Sequence, residues 1–369
     1  MAEKAGKEHE ASHEKVLHDA VDEFKRITGN LKGHMVLAAE DYRQPPVYLV
    51  THLVEMRFAG WKDADFDTLA AVSGASALFA WEPRTFMPKY AHLYIGMDDR
   101  IAQVTGFGYE WVPFRDAEDA WKILRESIDS NRPVKGWHYE NLLFAGYREA
   151  AEDSERQIFT MADGPDTFAR WWSWQKFTDW IREWSHGQLG RHSGPVARAE
   201  ERETAGRVMK DLVEWSTQPP ESVRKHFSKA TFGLPGIEAL ADAVEDVSND
   251  GGYFDAYASC HALNPQWTLR NSTSLYLSHV AGLFPDSVST HVLAAAKRYR
   301  AAYEAWDEMV THLPPSWAKE AGWKPDALEN AWQIKESRHA GAKAIRKAAG
   351  HERAALAEIE KVLREAKGN

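Results

Sequence analysis

Five histidine and carboxylate residues in the first half of the chain could do chemistry if the fold brings them together. They are His52, Glu55, His138, Glu140 and Asp163. Imidazole and carboxylate groups are ordinary ligands of zinc and iron, so a metal site that includes His52 and His138 is one hypothesis. None of the five belongs to a His-x-x-x-His pair, the spacing that would favour a metal. A hydrogen-bonded polar cluster is therefore the preferred interpretation, and zinc or iron is the alternative.

Catalysis without a metal is also open to this region. Glu140 and Asp163 would act as an acid and a base if their pKa values were shifted apart. His138 lies two residues before Glu140, on the same strand face if the alternation persists. The Thr51 hydroxyl would need an adjacent base, which spacing alone does not supply. Cys260, the only cysteine, is interpreted as a buried structural residue.

A second group of residues could bind a ligand. Trp171 and Trp172 follow the turn at Asp163 and could form the wall of a cleft. Arg170, beside them, would suit a ligand that carries a carboxylate. We include Ser73 as a fourth binding residue. The predicted partner is therefore a small molecule or a peptide.

Hydrophobic spacing predicts the elements that must position these residues. A helix is expected over Val47–Ala59. Short β-rich segments predict an antiparallel meander with strands at Val134–His138, Asn141–Tyr147 and Gln157–Met161. An aromatic-rich helix is expected over Trp171–Trp184, and a glycine-rich linker over Gly187–Pro195. From residue 196 onward the pattern is helical almost throughout.

The length of the chain predicts more than one hydrophobic core. Single cores usually stop growing above roughly 250 residues, and this chain has 369. The elements indicate an α+β protein with an antiparallel-sheet domain followed by an all-α helical domain. The predicted boundaries are an N-terminal helix at 1–34, the sheet domain at 35–190 and the helical domain at 196–369.

Composition argues against several classes of function. The formal net charge of −10 is unsuited to nucleic acid, whose binding depends on many Lys and Arg side chains. The most apolar run, Leu69–Trp81, is too short to span a membrane. The first residues mix charges of both signs, so we expect no secretory signal and a cytoplasmic location. A single cysteine excludes a disulfide framework within the chain, and a homo-oligomer is left open.

Charge is unevenly distributed along the chain. Residues 335–369 contain nine Lys or Arg and five Glu, a local net charge of +4. This pattern predicts a solvated helix face that docks on an acidic neighbour. The alternatives are an RNA or membrane surface, or a scaffold that binds another protein through this segment.

Several segments of the chain resemble a known family. The N-terminal segments are Phe58–Trp61, Ser73–Phe79, Ile128–Val134 and Leu142–Tyr147. In this order they resemble the papain-like domain of the butirosin-biosynthesis acyltransferase family, which is related to bacteriocin-processing double-glycine peptidases. The helical part, with Phe232–Glu238, Arg270–Leu277 and Ala354–Lys361, is similar to the C-terminal half of uncharacterised relatives. The resemblance covers most of the chain and implies a papain-like fold.

The resemblance also implies where a catalytic centre would lie. A nucleophilic cysteine is implied near the start of the Val47–Ala59 helix, but the chain has Pro46 and Val47 there. The histidine of the family would begin the strand that runs into Gly146-Tyr147, and Glu140 occupies that place. Asp163 matches the third, orienting group. The chain thus retains one of the three roles.

Two functional hypotheses follow. The first is a papain-like protein without the usual cysteine, which binds a small molecule or peptide in a biosynthetic or regulatory role. The second is an enzyme that uses the same cleft, either an acyl or amide transferase with an altered nucleophile or a metal-assisted hydrolase. The sequence alone does not choose between a binding protein and an enzyme.

Overall fold

The computed structural model describes residues 47–58, 65–83, 91, 94–130, 132–138, 140–150, 155–161, 169–251, 264–314 and 330–368. The predicted helix at 1–34, Asp163 and Cys260 lie outside these residues. The described residues form two units. We call them the sheet unit, which lies within 47–66 and 105–197, and the helical unit, which lies within 67–104 and 198–368.

The helices and strands are as follows. The helices are α1 Val47–Phe58, α2 Phe66–Val72, α3 Met97–Thr105, α4 Ala117–Asp129, α5 Trp174–Glu183, α6 Glu201–Trp215, α7 Glu221–His226, α8 Gly233–Glu245, α9 Asn264–Val280, α10 Asp286–His312 and α11 Lys335–Gly368. The strands are β1 Ala80–Trp81, β2 Phe107–Pro113, β3 Val134–His138, β4 Glu140–Arg148, β5 Gln157–Met161, β6 Ala169–Ser173, β7 Gln188–Pro195 and β8 Thr231–Phe232. The predicted helix at 47–59 and the three strands of the meander are confirmed.

An antiparallel sheet of six strands is the centre of the sheet unit. Its spatial order is β2-β7-β3-β4-β5-β6, so β2 and β6 are the edge strands among the strands that the structure describes. One face packs against α4 and α5 through a large apolar core. Its buried residues are Ala120, Trp121, Leu124, Ile128, Val134, Leu142, Phe144, Tyr147, Ile158, Trp172, Phe177, Trp180 and Leu189. Helix α1 packs against β4 and β7.

The predicted helix over Trp171–Trp184 is wrong in its first turn. Residues Ala169–Ser173 are strand β6, and α5 begins only at Trp174. Trp172 is buried and Trp171 is half-buried, the alternation of a strand with two different faces. The Ser173 hydroxyl accepts a hydrogen bond from the Lys176 backbone N–H and so caps the start of α5. The three tryptophans at 171, 172 and 174 therefore belong to two elements.

The predicted linker over Gly187–Pro195 is also wrong. Residues Gln188–Pro195 form β7, which pairs with β2 over its whole length and with β3 at Lys135 and Gly190. The glycine at position 190 has a packing reason, because a Cβ there would overlap the Tyr109 hydroxyl. Close side-chain packing, and not chain flexibility, accounts for this glycine in the middle of the sheet.

The helical unit is discontinuous in sequence and differs from the predicted boundaries. Residues 67–104 belong to it together with 198–368, whereas the prediction assigned them to a continuous sheet domain over 35–190. Strand β1 explains part of this, because Ala80 and Trp81 pair with Phe232 and Thr231 of β8. The same ladder corrects the all-α prediction, since the unit contains a two-stranded sheet.

Two basic residues of helix α11 pair with acidic residues of the same unit. Arg346 pairs with Asp242 and Glu245 of α8. Lys347 pairs with Glu308 of α10 at 2.6 Å. The acidic neighbour that the charge pattern predicted for residues 335–369 therefore includes helices α8 and α10 of this chain.

These elements establish an α+β protein with an antiparallel sheet region and a helical C-terminal region. None of the helices in the described part of the chain has both the length and the apolar character needed to cross a membrane.

Candidate functional site

The face of the sheet that α1 covers contains a group of polar residues, all buried except the half-buried Tyr109. His52 and Glu55 project from α1, Tyr109 from β2, Lys135 from β3 and His192 from β7. We call these five residues the buried lysine cluster. The strand register explains their meeting, because Tyr109 lies opposite His192 and Lys135 lies opposite Gly190, two residues before His192. Residues at even spacing along a strand share a face.

Lys135 is the centre of this cluster. Its Nζ lies 2.9 Å from His52 Nδ1 and 3.7 Å from Glu55 Oε2. The exposed fractions are 0% for Lys135 and 1% each for His52 and Glu55. A buried ammonium needs an opposite charge and hydrogen-bond acceptors, and the carboxylate and imidazole supply both.

Burial and positive neighbours keep His52 neutral. Burial is the largest cause that lowers the pKa of His52 well below 6.5, and the charges of Lys135 and His192 lower it further. An ammonium can only donate, so His52 Nδ1 accepts the hydrogen bond from Lys135 Nζ. The proton of the neutral ring is therefore on Nε2.

Tyr109 covers the ammonium from the sheet side. The Lys135 Nζ lies 4.5 Å from the centroid of the Tyr109 ring, within the range of a cation–π contact. The Tyr109 hydroxyl donates to Glu55 Oε1 at 3.3 Å. The ring also packs edge-on against His192, with centroids 5.3 Å apart. Tyr109 thus contacts both the charged pair and the second imidazole.

Thr51 is buried on α1, next to the cluster in sequence, but its hydroxyl is engaged. Thr51 Oγ1 donates to the Tyr48 carbonyl at 3.1 Å, inside its own helix. Its exposed fraction is 0%. A hydroxyl nucleophile needs an adjacent base and a path to the substrate. The described contacts provide neither.

Two of the predicted ligand-binding residues, Trp172 and Ser73, are buried. Trp172 is 4% exposed and belongs to the apolar core between the sheet, α4 and α5. Ser73 lies in the helical unit, where its hydroxyl donates to the Ala70 carbonyl and accepts from the Ala75 N–H. Ligand binding by these two residues stays a prediction from the sequence, and in the described structure both side chains face the interior.

The structure describes the other predicted site residues to different extents. His138 and Glu140 pair across the β3–β4 connection, and Arg170 pairs with Thr160 of β5. These are backbone pairings, and the three side chains lie outside the described part. Trp171 is half-buried on the edge strand β6, where its ring contacts Phe159 and the Arg148 guanidinium. Only Trp171 among the predicted ligand-binding residues has a described surface that a ligand could reach.

Sequence reasoning missed Lys135, Tyr109 and His192. Lys135 could have been noticed in the sequence, since a lysine within the strand Val134–His138 must either face solvent or find buried partners. His192 was missed because Gly187–Pro195 was predicted to be a linker. Tyr109 had no local signal, because its partner Glu55 is 54 residues away in sequence.

The described residues offer no group of ligands for the predicted zinc or iron site. Among the described residues, no set of three His, Cys, Asp or Glu side chains could hold a metal ion. His52, the predicted ligand on α1, has its Nδ1 engaged by the Lys135 ammonium. A cation at that nitrogen would also meet the positive charge of Lys135.

Comparison with known proteins assigns no family to this site. No protein-family model matches the chain, and no curated protein matches it. The relationship to the butirosin-biosynthesis acyltransferase family stays a prediction from the sequence segments. Function has to be argued from the residues themselves.

Proposed function

We propose that this chain is a binding protein on a papain-like sheet unit, which holds a small molecule or a peptide without nucleophilic catalysis. One observation carries the proposal: the groups that face each other between α1 and the sheet are closed on one another in a buried cluster. The papain-like assignment rests on the sequence resemblance and on a helix that packs against an antiparallel sheet, with α1 against β4 and β7.

The state of the cluster argues against catalysis there. A general acid, base or nucleophile has to come within hydrogen-bond reach of the reacting group. The Lys135 amine instead lies against His52, Glu55 and the Tyr109 ring. Partners inside the protein thus take the contacts that a substrate would need.

Charge balance favours a structural role for the same residues. An ammonium and a carboxylate 3.7 Å apart compensate each other, and the neutral imidazole adds a hydrogen-bond acceptor without adding charge. Such a group can replace a catalytic centre at the helix–sheet contact while the outer surfaces of the sheet remain available to a ligand.

The absence of a nucleophile is tested with p-nitrophenyl acetate, an activated acyl donor. We expect no stoichiometric burst of p-nitrophenolate. In peptide mapping by mass spectrometry, Lys122 should become acetylated, since its side chain is 74% exposed. Thr51 and Lys135, which are buried, should not.

The opposite result would favour the enzyme alternatives. A burst with one acetyl group on Thr51 or Lys135 would mean that a reactive group is accessible and would overturn the proposal. A metal-assisted hydrolase has a separate signature, namely about one zinc or iron per purified chain, because a catalytic metal is held by several protein ligands.

A further inference from the structure

Arg148 and Trp171 form a charged aromatic surface at the outer edge of the sheet. We propose that this surface is a carboxylate-binding site for a ligand with an apolar group next to its carboxylate. The inference rests on the proposed binding function and deepens it, because it names the class of ligand and the residues that hold it.

The strand order brings these residues together. Arg148 ends β4, Trp171 lies in the edge strand β6, and β5 runs between them. The Arg148 Cζ lies over the Trp171 ring, 3.9 Å from its centroid, a close cation–π contact. Phe159 of β5 packs against the same ring at 5.3 Å. Arg148 is exposed, Trp171 is half-buried and Phe159 is buried, so the surface has an apolar base and a charged top.

Among the described residues, the contacts of Arg148 engage few of its donors. The guanidinium has five N–H donors in one plane, and the ring contact through Cζ needs none of them as a hydrogen-bond donor. One nitrogen, Nη1, donates to the Gln157 side-chain oxygen at 3.1 Å. An amide oxygen is neutral and does not compensate the positive charge. The remaining N–H groups form the planar fork that binds a carboxylate with two parallel hydrogen bonds.

A neighbouring arginine shows what a completed arrangement looks like. Arg125 also lies over an aromatic ring, with its Cζ 5.8 Å from the centroid of Tyr147. Its guanidinium pairs with the Glu149 carboxylate at 2.6 Å. Among the described residues, Arg148 has the ring but has an amide where Arg125 has a carboxylate. An external carboxylate would supply that missing partner.

The surroundings define the rest of the ligand. The open part of the Trp171 ring, which the buried Phe159 supports, would contact an apolar or aromatic group beside the carboxylate. Strand β6 is an edge strand, so its outer backbone groups have no neighbouring strand in the described sheet. Both a small aromatic acid and the C-terminal residue of a peptide present this chemistry.

Isothermal titration calorimetry with hippurate, a small aromatic carboxylate, tests the site in the full chain. We expect saturable binding of hippurate and at least about tenfold weaker binding of its neutral amide, because hydrogen bonds to a charged group are the stronger ones. Arg148→Gln should weaken hippurate binding by a similar factor. Arg125→Gln is the matched control and should leave it unchanged within about twofold.

The titrations separate a failed site from a failed function. Absence of hippurate binding to the wild type, or equal affinity of Arg148→Gln and the wild type, would overturn the site. A circular dichroism spectrum identical to the wild type excludes misfolding of the variant. Acetylation of Thr51 or Lys135 is an independent result and would instead remove the proposed function. A tetrapeptide ending in phenylalanine, titrated with a free and with an amidated C-terminus, identifies the source of the carboxylate. Tighter binding of the free form than of hippurate indicates a peptide C-terminus.

Discussion

Replacing Lys135 by methionine is expected to lower the free energy of unfolding of the sheet unit by about 3 to 5 kcal/mol, the usual cost of breaking a buried ion pair. Methionine keeps the length and the apolar stem of lysine but removes the ammonium. The Glu55 carboxylate, 1% exposed, would then have no compensating cation at 3.7 Å. Urea unfolding measures the loss, and hydrogen exchange of β3 peptides assigns it to the sheet unit.

Two further variants separate charge compensation from general damage to the fold. The double variant Lys135→Met with Glu55→Met should recover most of the loss, since apolar replacement of a whole buried pair is often neutral. Lys122→Met is the exposed control; its pair with Glu126 spans 3.9 Å at the surface and should contribute less than about 1 kcal/mol. A loss at Lys135 no larger than that at Lys122 would contradict the charge-compensated cluster.

Replacing Arg270 by methionine is expected to have an effect of similar size in the helical unit. Arg270 of α9 donates to both carboxylate oxygens of Glu352, at 2.8 and 2.9 Å, and to the Ser76 carbonyl at 3.1 Å. The two side chains are 3% and 6% exposed. Removal of the guanidinium would leave a buried carboxylate and a carbonyl without their donor, again about 3 to 5 kcal/mol. Urea unfolding followed by far-UV circular dichroism gives the difference.

Arg353 provides the matched control for Arg270. It pairs with Glu238, but the two side chains are 57% and 48% exposed. Surface pairs of this kind contribute about 0 to 1 kcal/mol, so Arg353→Met should have little effect. Arg270→Met with Glu352→Met should be more stable than Arg270→Met alone. Equal losses for the two arginine variants would mean that burial of the Arg270–Glu352 pair is not what stabilises the helical unit.

Local sequence patterns were sufficient for much of the sheet unit. The apolar spacing of Val47–Ala59 predicted α1 to within one residue, because a single buried stripe of period 3.6 is a local property. The short β-rich segments in 134–161 predicted β3, β4 and β5.

The failures are at positions that depend on distant residues. Gly190 has no side chain because the Tyr109 hydroxyl occupies that space, and no pattern within 187–195 contains this information. The glycines were therefore interpreted as a linker, and His192 was missed with them. Trp171 and Trp172 fit helical spacing with the tryptophans that follow, but pairing with Phe159 and Ile158 of β5 places them in a strand.

The candidate site was predictable only in part. His52 and Glu55 share a helix face by their spacing alone, and both belong to the buried lysine cluster. Their main partner, Lys135, is 83 residues away from His52 and reaches it only because β3 lies in the centre of the sheet. Sequence reasoning sought anionic and metal-binding groups there, whereas the cation that meets them is a lysine.

The central claim, that His52, Glu55 and Lys135 are closed on one another, is tested most directly by nitrogen-15 NMR of the His52 imidazole as a function of pH. We predict a neutral ring protonated on Nε2, with Nδ1 as the acceptor, and we expect it to stay neutral well below the ordinary pKa of 6.5. In the urea-unfolded chain the same ring should titrate at about pH 6.5. Below about pH 6.5, His52 then binds a proton more readily in the unfolded state than in the folded state. The free energy of unfolding is therefore retained above that pH and falls progressively as the pH decreases below it. A His52 ring that protonates near 6.5 in the folded protein, or that holds its proton on Nδ1, would contradict the closed cluster and the binding function built on it.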